Sequence, residues 1–142
     1  MVLGPFDPLE LLPHREPFVF LTKITEVKAL SYAKGYWDIP EDFYVFKGHF
    51  PNYPVLPGVL IVESIAQLGA AALRVDEKFK DKLVFFGGID KARFRKQVTP
   101  GSRLNLSVEV THLSNLAGKA KGEAYLNDSL ACEAHIVFVV AK

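Results

Sequence analysis

Residues 57–74 read PGVLIVESIAQLGAAALR, and this stretch decides the fold. It holds no proline after Pro57 and no charge between Glu63 and Arg74, so nothing inside it breaks a helix. Pro57 suits the opening position, where its missing N–H has no intrahelical partner to lose. A helix from there to about Arg74 is about 25 Å long at 1.5 Å per residue. Val59, Leu60, Ile61, Val62, Ile65, Ala66, Leu68, Ala70, Ala71 and Leu73 surround it. A helix apolar on all sides is buried on most of them.

What could bury it lies mainly downstream. Charged residues between Asp76 and Lys82 return the chain to solvent, and Leu83–Arg95 begins as a strand and ends in alternating charge. Pro100-Gly101 is a turn signal. Leu104, Leu106, Val108 and Val110 then alternate with polar residues, the pattern of a half-buried strand. Lys119–Leu126 and Leu130–Val140 are joined by the turn-prone Asn127-Asp128-Ser129. One face of that hairpin is small (Ala120, Gly122, Ala124, Cys132 and Ala134), which lets a helix axis come close to a sheet. Upstream, Asp7 and Pro8 open a short turn as cap and first helical residue. Phe18–Val27 and Ala33–Ile39 read as strands, and Phe43–Pro57 as a loop stiffened by prolines at 51, 54 and 57. The expectation is one α+β domain over residues 1–142, an antiparallel sheet curled round one central helix.

Composition narrows the function classes. With 49% apolar and 23% charged residues, the 142-residue chain is an ordinary globular protein. Eleven Phe and five Tyr exceed what a minimal core needs, which suggests a lined pocket or a subunit interface. A net charge of +1 gives no global reason for nucleic acid binding. Cys132 has no partner for an intrachain disulfide, and its flanks suggest a small buried residue. No Cys/His cluster has metal-ligand spacing. No signal-peptide pattern or membrane span is evident, so a cytoplasmic location and no membrane partner are expected.

Glu63 is the odd residue, a carboxyl two turns into an apolar helix. Burial disfavours its charged form, and a carboxyl kept protonated near neutral pH can donate a proton to a leaving group. A structural Glu paired with an Arg is the open alternative. Gln67, at i+4, can reach that carboxyl in either case. His49, in Gly48-His49-Phe50-Pro51, can accept a proton near neutral pH, although a loop histidine is often only polar surface. His14 reads as structural, and His112 and His135 receive no role. At the helix start, Leu56 and Pro57 offer no side-chain cap, so the amides from Gly58 onward are free to meet developing negative charge.

The stretches LPHREPF, GHFPNYPVLPGVLIVESIAQ and GIDKARFRKQVTPG together resemble the 3-hydroxyacyl-acyl-carrier-protein dehydratases of the FabZ type, from about Leu11 to Val139. His49, Pro51, Pro54, Pro57-Gly58, Glu63 and Gln67 fall in register with that family. The resemblance implies a hot-dog fold, in which a curved antiparallel sheet wraps a long helix. It also implies a homodimer, often a trimer of dimers, whose sites each take the histidine from one subunit and the acid from the other. The reaction implied is dehydration of a (3R)-3-hydroxyacyl thioester on acyl carrier protein in fatty acid biosynthesis. In it His49 acts as base, Glu63 as acid, the Gly58 amide at the carbonyl oxygen and Gln67 in support, without metal or organic cofactor. Glutamate rather than aspartate at the acid position favours simple dehydration over dehydration with double-bond migration. The chain departs from the pattern at Glu16, Thr22-Lys23, Asn52-Tyr53 and Ser102, and Tyr53 bears on tunnel shape.

An acidic carrier protein needs a basic landing site. Lys91, Arg93, Arg95 and Lys96 place four cations within six residues, the first three on one strand face by period-2 spacing. The same cations also suit an edge strand protected from aggregation. Two further functions stay open at this level: a hot-dog acyl thioesterase, and a non-catalytic subunit that binds acyl thioesters.

Overall fold

The apolar run after Pro57 is a 17-residue helix, and the strands around it form one seven-stranded antiparallel sheet. The computed structural model describes residues 1–141. In chain order the elements are β1 (Val2–Leu3), α1 (Pro8–Leu11), β2 (Lys23–Lys28), β3 (Tyr32–Asp38), α2 (Val45–His49), α3 (Gly58–Arg74), β4 (Leu83–Phe94), β5 (Arg103–Leu113), β6 (Ala117–Leu126) and β7 (Ser129–Ala141). The sheet order is β1-β2-β3-β5-β6-β7-β4, so β4, next after the helix in sequence, ends at an edge. Helix α3 packs against β2 through β7, which is the hot-dog arrangement expected.

The small face of the β6–β7 hairpin explains how closely helix and sheet meet. Ala124, Cys132 and Ala134 are fully buried, and Ala120 nearly so. A Cβ placed on Gly122 would stand 2.2 Å from Ile65 Cγ2 and 3.4 Å from the Ser107 carbonyl oxygen. Ile65 is itself fully buried, so neither side has room to move. Gly122→Ala should therefore destabilise the fold by about 1–3 kcal/mol. A urea midpoint equal to that of the wild type would show that the contact is not tight.

Two segments differ from the sequence reading. Residues 18–22 lie outside the strand that pattern alone extends to them: the ladder with β3 begins at Lys23, and of the backbone groups before it only the Thr22 N–H, donating to the Tyr36 carbonyl, reaches that strand. The Phe20 N–H and the Phe18 carbonyl are taken by the side-chain amide of Gln67 instead of by a neighbouring strand. Residues 45–49 form a short helix inside the expected loop. Pro40 and Pro51 bracket a proline-free stretch in which Phe43 and Phe46 fall on one helical face, their rings 5.9 Å apart. Elsewhere the turn chemistry holds: Asp7 closes a capping box with Glu10 at α1, and Asn127 takes φ 54° in the hairpin turn.

Candidate active site

Glu63 projects from the second turn of α3 into a narrow cavity of about 40 Å³ between the helix and strands β4, β6 and β7. Val84, Phe85, Phe86, Ala120, Ile136 and Phe138 form its apolar wall. The Glu63 side chain is 17% exposed. Burial pushes its pKa above the ordinary carboxylate value, and a hydrogen bond from Gln67 opposes that shift in part. The sequence-level expectation of a carboxyl that favours its protonated form therefore has a physical cause here.

Gln67 is 1% exposed and its amide is fixed in orientation. Its Oε1 accepts from the Phe20 N–H at 2.9 Å, and its Nε2 donates to the Phe18 carbonyl at 3.1 Å. Neither backbone group can exchange roles, so Nε2 must present its other hydrogen to Glu63 Oε2, 3.1 Å away. The segment that lost its strand pairing is thus what holds Gln67, and Gln67 in turn holds the acid.

His49 ends α2 and is half-buried. Its Nδ1 lies 2.8 Å from the Val55 carbonyl oxygen. A carbonyl only accepts, so Nδ1 carries the proton and the neutral ring keeps its lone pair on Nε2, the form a general base needs. The ring also stacks on Phe50, with centroids 4.0 Å apart. The proline-rich loop is anchored by Leu56 N–H to the Val98 carbonyl and by Tyr53 Oη to Gln97 Oε1.

Within one chain the two candidate catalytic groups do not share a cavity. His49 does not line the cavity at Glu63. It is tied instead to Val55, which with Leu56 and Gly58 lines a second, apolar groove closed by Phe94, Lys96 and Val98. Gly58 opens α3 without a side-chain cap, as the sequence suggested. A Cβ there would meet the Phe94 ring at 2.7 Å, so the bare glycine is used by that aromatic side chain.

The basic residues divide between two surfaces. Lys91 Nζ and the Arg95 guanidinium both approach Glu133 Oε1, at 3.8 and 3.0 Å, and Arg93 is the cross-strand partner of Glu133. Lys96 instead lines the groove beside Gly58. Cys132 is fully buried, which pushes its thiol up to about 11 and leaves it unreactive near neutral pH. Among the described residues no group of three or more His, Cys, Asp and Glu could hold a metal ion, and no helix is long and apolar enough to cross a membrane.

From the sequence His14 reads only as a structural residue. The structure places its Nε2 3.9 Å from Glu63 Oε2, in the same cavity. The two residues are 49 positions apart, so no local periodicity could join them. Only the LPHREPF stretch pointed to that segment at all.

Similarity to known proteins bears on the fold and the family. The FabA-like domain family matches residues 12–135. A 3-hydroxyacyl-[acyl-carrier-protein] dehydratase FabZ of Clostridium botulinum (strain Okra / Type B1) is 47% identical over 132 residues, covering 93% of this chain and 92% of that protein. The protein of the same name from Bacillus velezensis is 45% identical over 133 residues, 94% of each. Among solved structures, the dehydratase heterocomplex ApeI:P from Xenorhabdus doucetiae superposes with a TM-score of 0.80 at 19% identity, over 96% of this chain and 92% of that one. The conserved protein PA5202 from Pseudomonas aeruginosa gives 0.70 at 12% identity, over 93% and 97%. These two likenesses establish the fold, while the family match and the identities of nearly half the residues establish more: the chain belongs to the FabA-like family, and within it to the FabZ 3-hydroxyacyl-[acyl-carrier-protein] dehydratases.

Proposed function

We propose that the protein dehydrates (3R)-3-hydroxyacyl thioesters on acyl carrier protein to trans-2-enoyl thioesters, as a step of fatty acid biosynthesis in the cytoplasm. The observation that carries the mechanism is Glu63, a carboxyl oriented by Gln67 in an apolar cavity that favours its protonated form. His49 Nε2 removes a proton from C2, next to the thioester carbonyl. The Gly58 amide receives the charge that develops on the carbonyl oxygen. The electron pair then forms the C2–C3 double bond, and the 3-hydroxyl leaves as water with the proton of Glu63. The sum is loss of one water, so the reaction needs no oxidant, metal or organic cofactor. Glutamate at the acid position favours dehydration without double-bond migration.

The site is made by two copies of the chain. Within one chain His49 does not line the cavity at Glu63, and that cavity has room for roughly three waters rather than an acyl chain. Strand β4 is a 12-residue edge with Phe85, Phe86 and Ile89 exposed, a surface suited to burial against a second copy. A two-fold arrangement would make two equivalent sites. Incubating the purified protein with 3-hydroxybutyryl-acyl carrier protein should yield the enoyl thioester, read by its absorbance. A free thiol as product, or no turnover with short and long chains alike, would overturn the proposal.

Lys91, Arg93, Arg95 and Lys96 are proposed to steer the acidic carrier. Reversing charge at Arg93 and Arg95 should raise KM several-fold for carrier-bound substrate and leave small thioester mimics unaffected. Equal effects on both substrates would remove the steering role.

A further inference from the structure

Nothing in the mechanism above uses His14, yet its ring shares the cavity of the acid. It belongs to the segment that follows α1, stands 3.9 Å through Nε2 from Glu63 Oε2, and stacks near Phe18 with centroids 6.4 Å apart. Its other nitrogen, Nδ1, is buried and has no hydrogen-bond partner among the described residues. We propose that His14 is a positioning residue for the acid: its neutral ring presents Nε2–H to Glu63 Oε2, so that His14 and Gln67 together keep that oxygen an acceptor and leave the acidic proton on Oε1.

The surroundings of the ring select its tautomer. A neutral imidazole has one N–H to place. On Nδ1 it would be a buried donor with nothing to bond, and the Nε2 lone pair would face a carboxyl oxygen. On Nε2 it points at that oxygen and only a lone pair is left unmet, the cheaper of the two defects. Gln67 already donates to the same oxygen at 3.1 Å. At 3.9 Å the His14 contact is longer than a hydrogen bond, and such contacts commonly tighten once substrate closes the site. When Glu63 gives up its proton, the carboxylate then has two donors on Oε2 to stabilise it.

The ring must stay neutral for this to work, since an imidazolium would form an ion pair with Glu63 and take the proton the reaction needs. Burial lowers the proton affinity of His14, and the charge of Arg74 lowers it further. Arg74 is held by the carbonyls of Leu11 and Lys82 rather than by a carboxylate, with Asp81 as the opposing charge that acts on it. The other faces toward Glu63 are apolar: Val84, Phe85 and Phe86 from β4, Ala120 from β6, and Ile136 and Phe138 from β7. In the two-copy site, His49 of the second copy is the remaining titratable group. The kinetic part of this inference rests on the dehydratase reading.

In His14→Phe the carboxylate loses a donor, so the pKa of Glu63 rises further. The alkaline limb of the kcat–pH profile should move up by about one unit, with kcat falling up to about tenfold. His14→Gln keeps an N–H donor without a titrating ring, and should keep the limb and most of kcat. The titration of the Glu63 carboxyl in the free protein, followed by the infrared C=O band that Glu63→Gln removes, should shift in the same sense in His14→Phe alone. That reading needs no turnover, so a shifted band in an inactive protein would uphold the positioning role and reject the dehydratase reading. A limb and band unmoved in folded His14→Phe would overturn the inference. The ring ¹⁵N shifts of His14 in the wild type decide it even if the variant fails to fold: a proton on Nε2 supports it, and a proton on Nδ1 overturns it.

Discussion

Glu63→Gln is expected to lower kcat for dehydration by about 10²–10⁴-fold while the protein stays folded. The amide has the size and shape of the carboxylic acid but cannot release a proton to the departing hydroxyl. Its oxygen can keep the hydrogen bond from Gln67, so the helix surface changes little. Stability provides the control. The folded-state pKa of Glu63 is raised, so the native carboxyl holds its proton more tightly than the unfolded one. Wild-type stability relative to the variant therefore falls as pH climbs above the ordinary carboxylate range and through the raised value. At pH 8 the variant should melt at the same temperature as the wild type or higher. A purely structural Glu63 predicts the reverse pair, a lowered Tm with kcat nearly intact, and that outcome would reject its role as acid.

The residues that made this fold and site legible share one property: their signal is local. The apolar run 57–74 announces a buried helix, and an acid within it announces an unusual environment, whatever the rest of the chain does. The small face of the β6–β7 hairpin announces close packing, and Ile65 against Gly122 is that packing. What was not legible depends on contacts far apart in sequence. Residues 18–22 have the composition of a strand, yet Gln67, 47 residues beyond Phe20, takes the backbone groups a strand partner would need. His14 looks like a turn residue until folding brings it to Glu63. The helix at Val45–His49 was hidden differently, because the prolines on either side dominate the reading of the short segment between them. The residue pattern singled out Glu63, Gln67, His49 and Gly58, and the resemblance added the chemistry that joins them. The hydrogen bond from His49 Nδ1 to the Val55 carbonyl and the fixed amide of Gln67 supply physical reasons for two of their roles.

His49→Ala should be as damaging as Glu63→Gln, with kcat reduced by about 10²–10⁴-fold, because it removes the group proposed to take the C2 proton. The larger consequence concerns where the site is built. If one chain supplied both residues, each variant would be dead in every assembly and mixing them would recover nothing. His49 does not line the cavity at Glu63 within one chain, which supports the proposed site made by two copies. Co-expressed His49→Ala and Glu63→Gln chains would then form a mixed dimer in which one site carries both lesions and the other carries neither. With random pairing, half of the dimers are mixed and half of their sites are intact, so about a quarter of the wild-type rate should return. Recovery near that level, lost when the dimers are prepared separately and assayed before they exchange subunits, would place the base and the acid on different chains. No recovery from a demonstrated mixed dimer would mean that each chain carries its own site, and that the loop bearing His49 must move to meet Glu63.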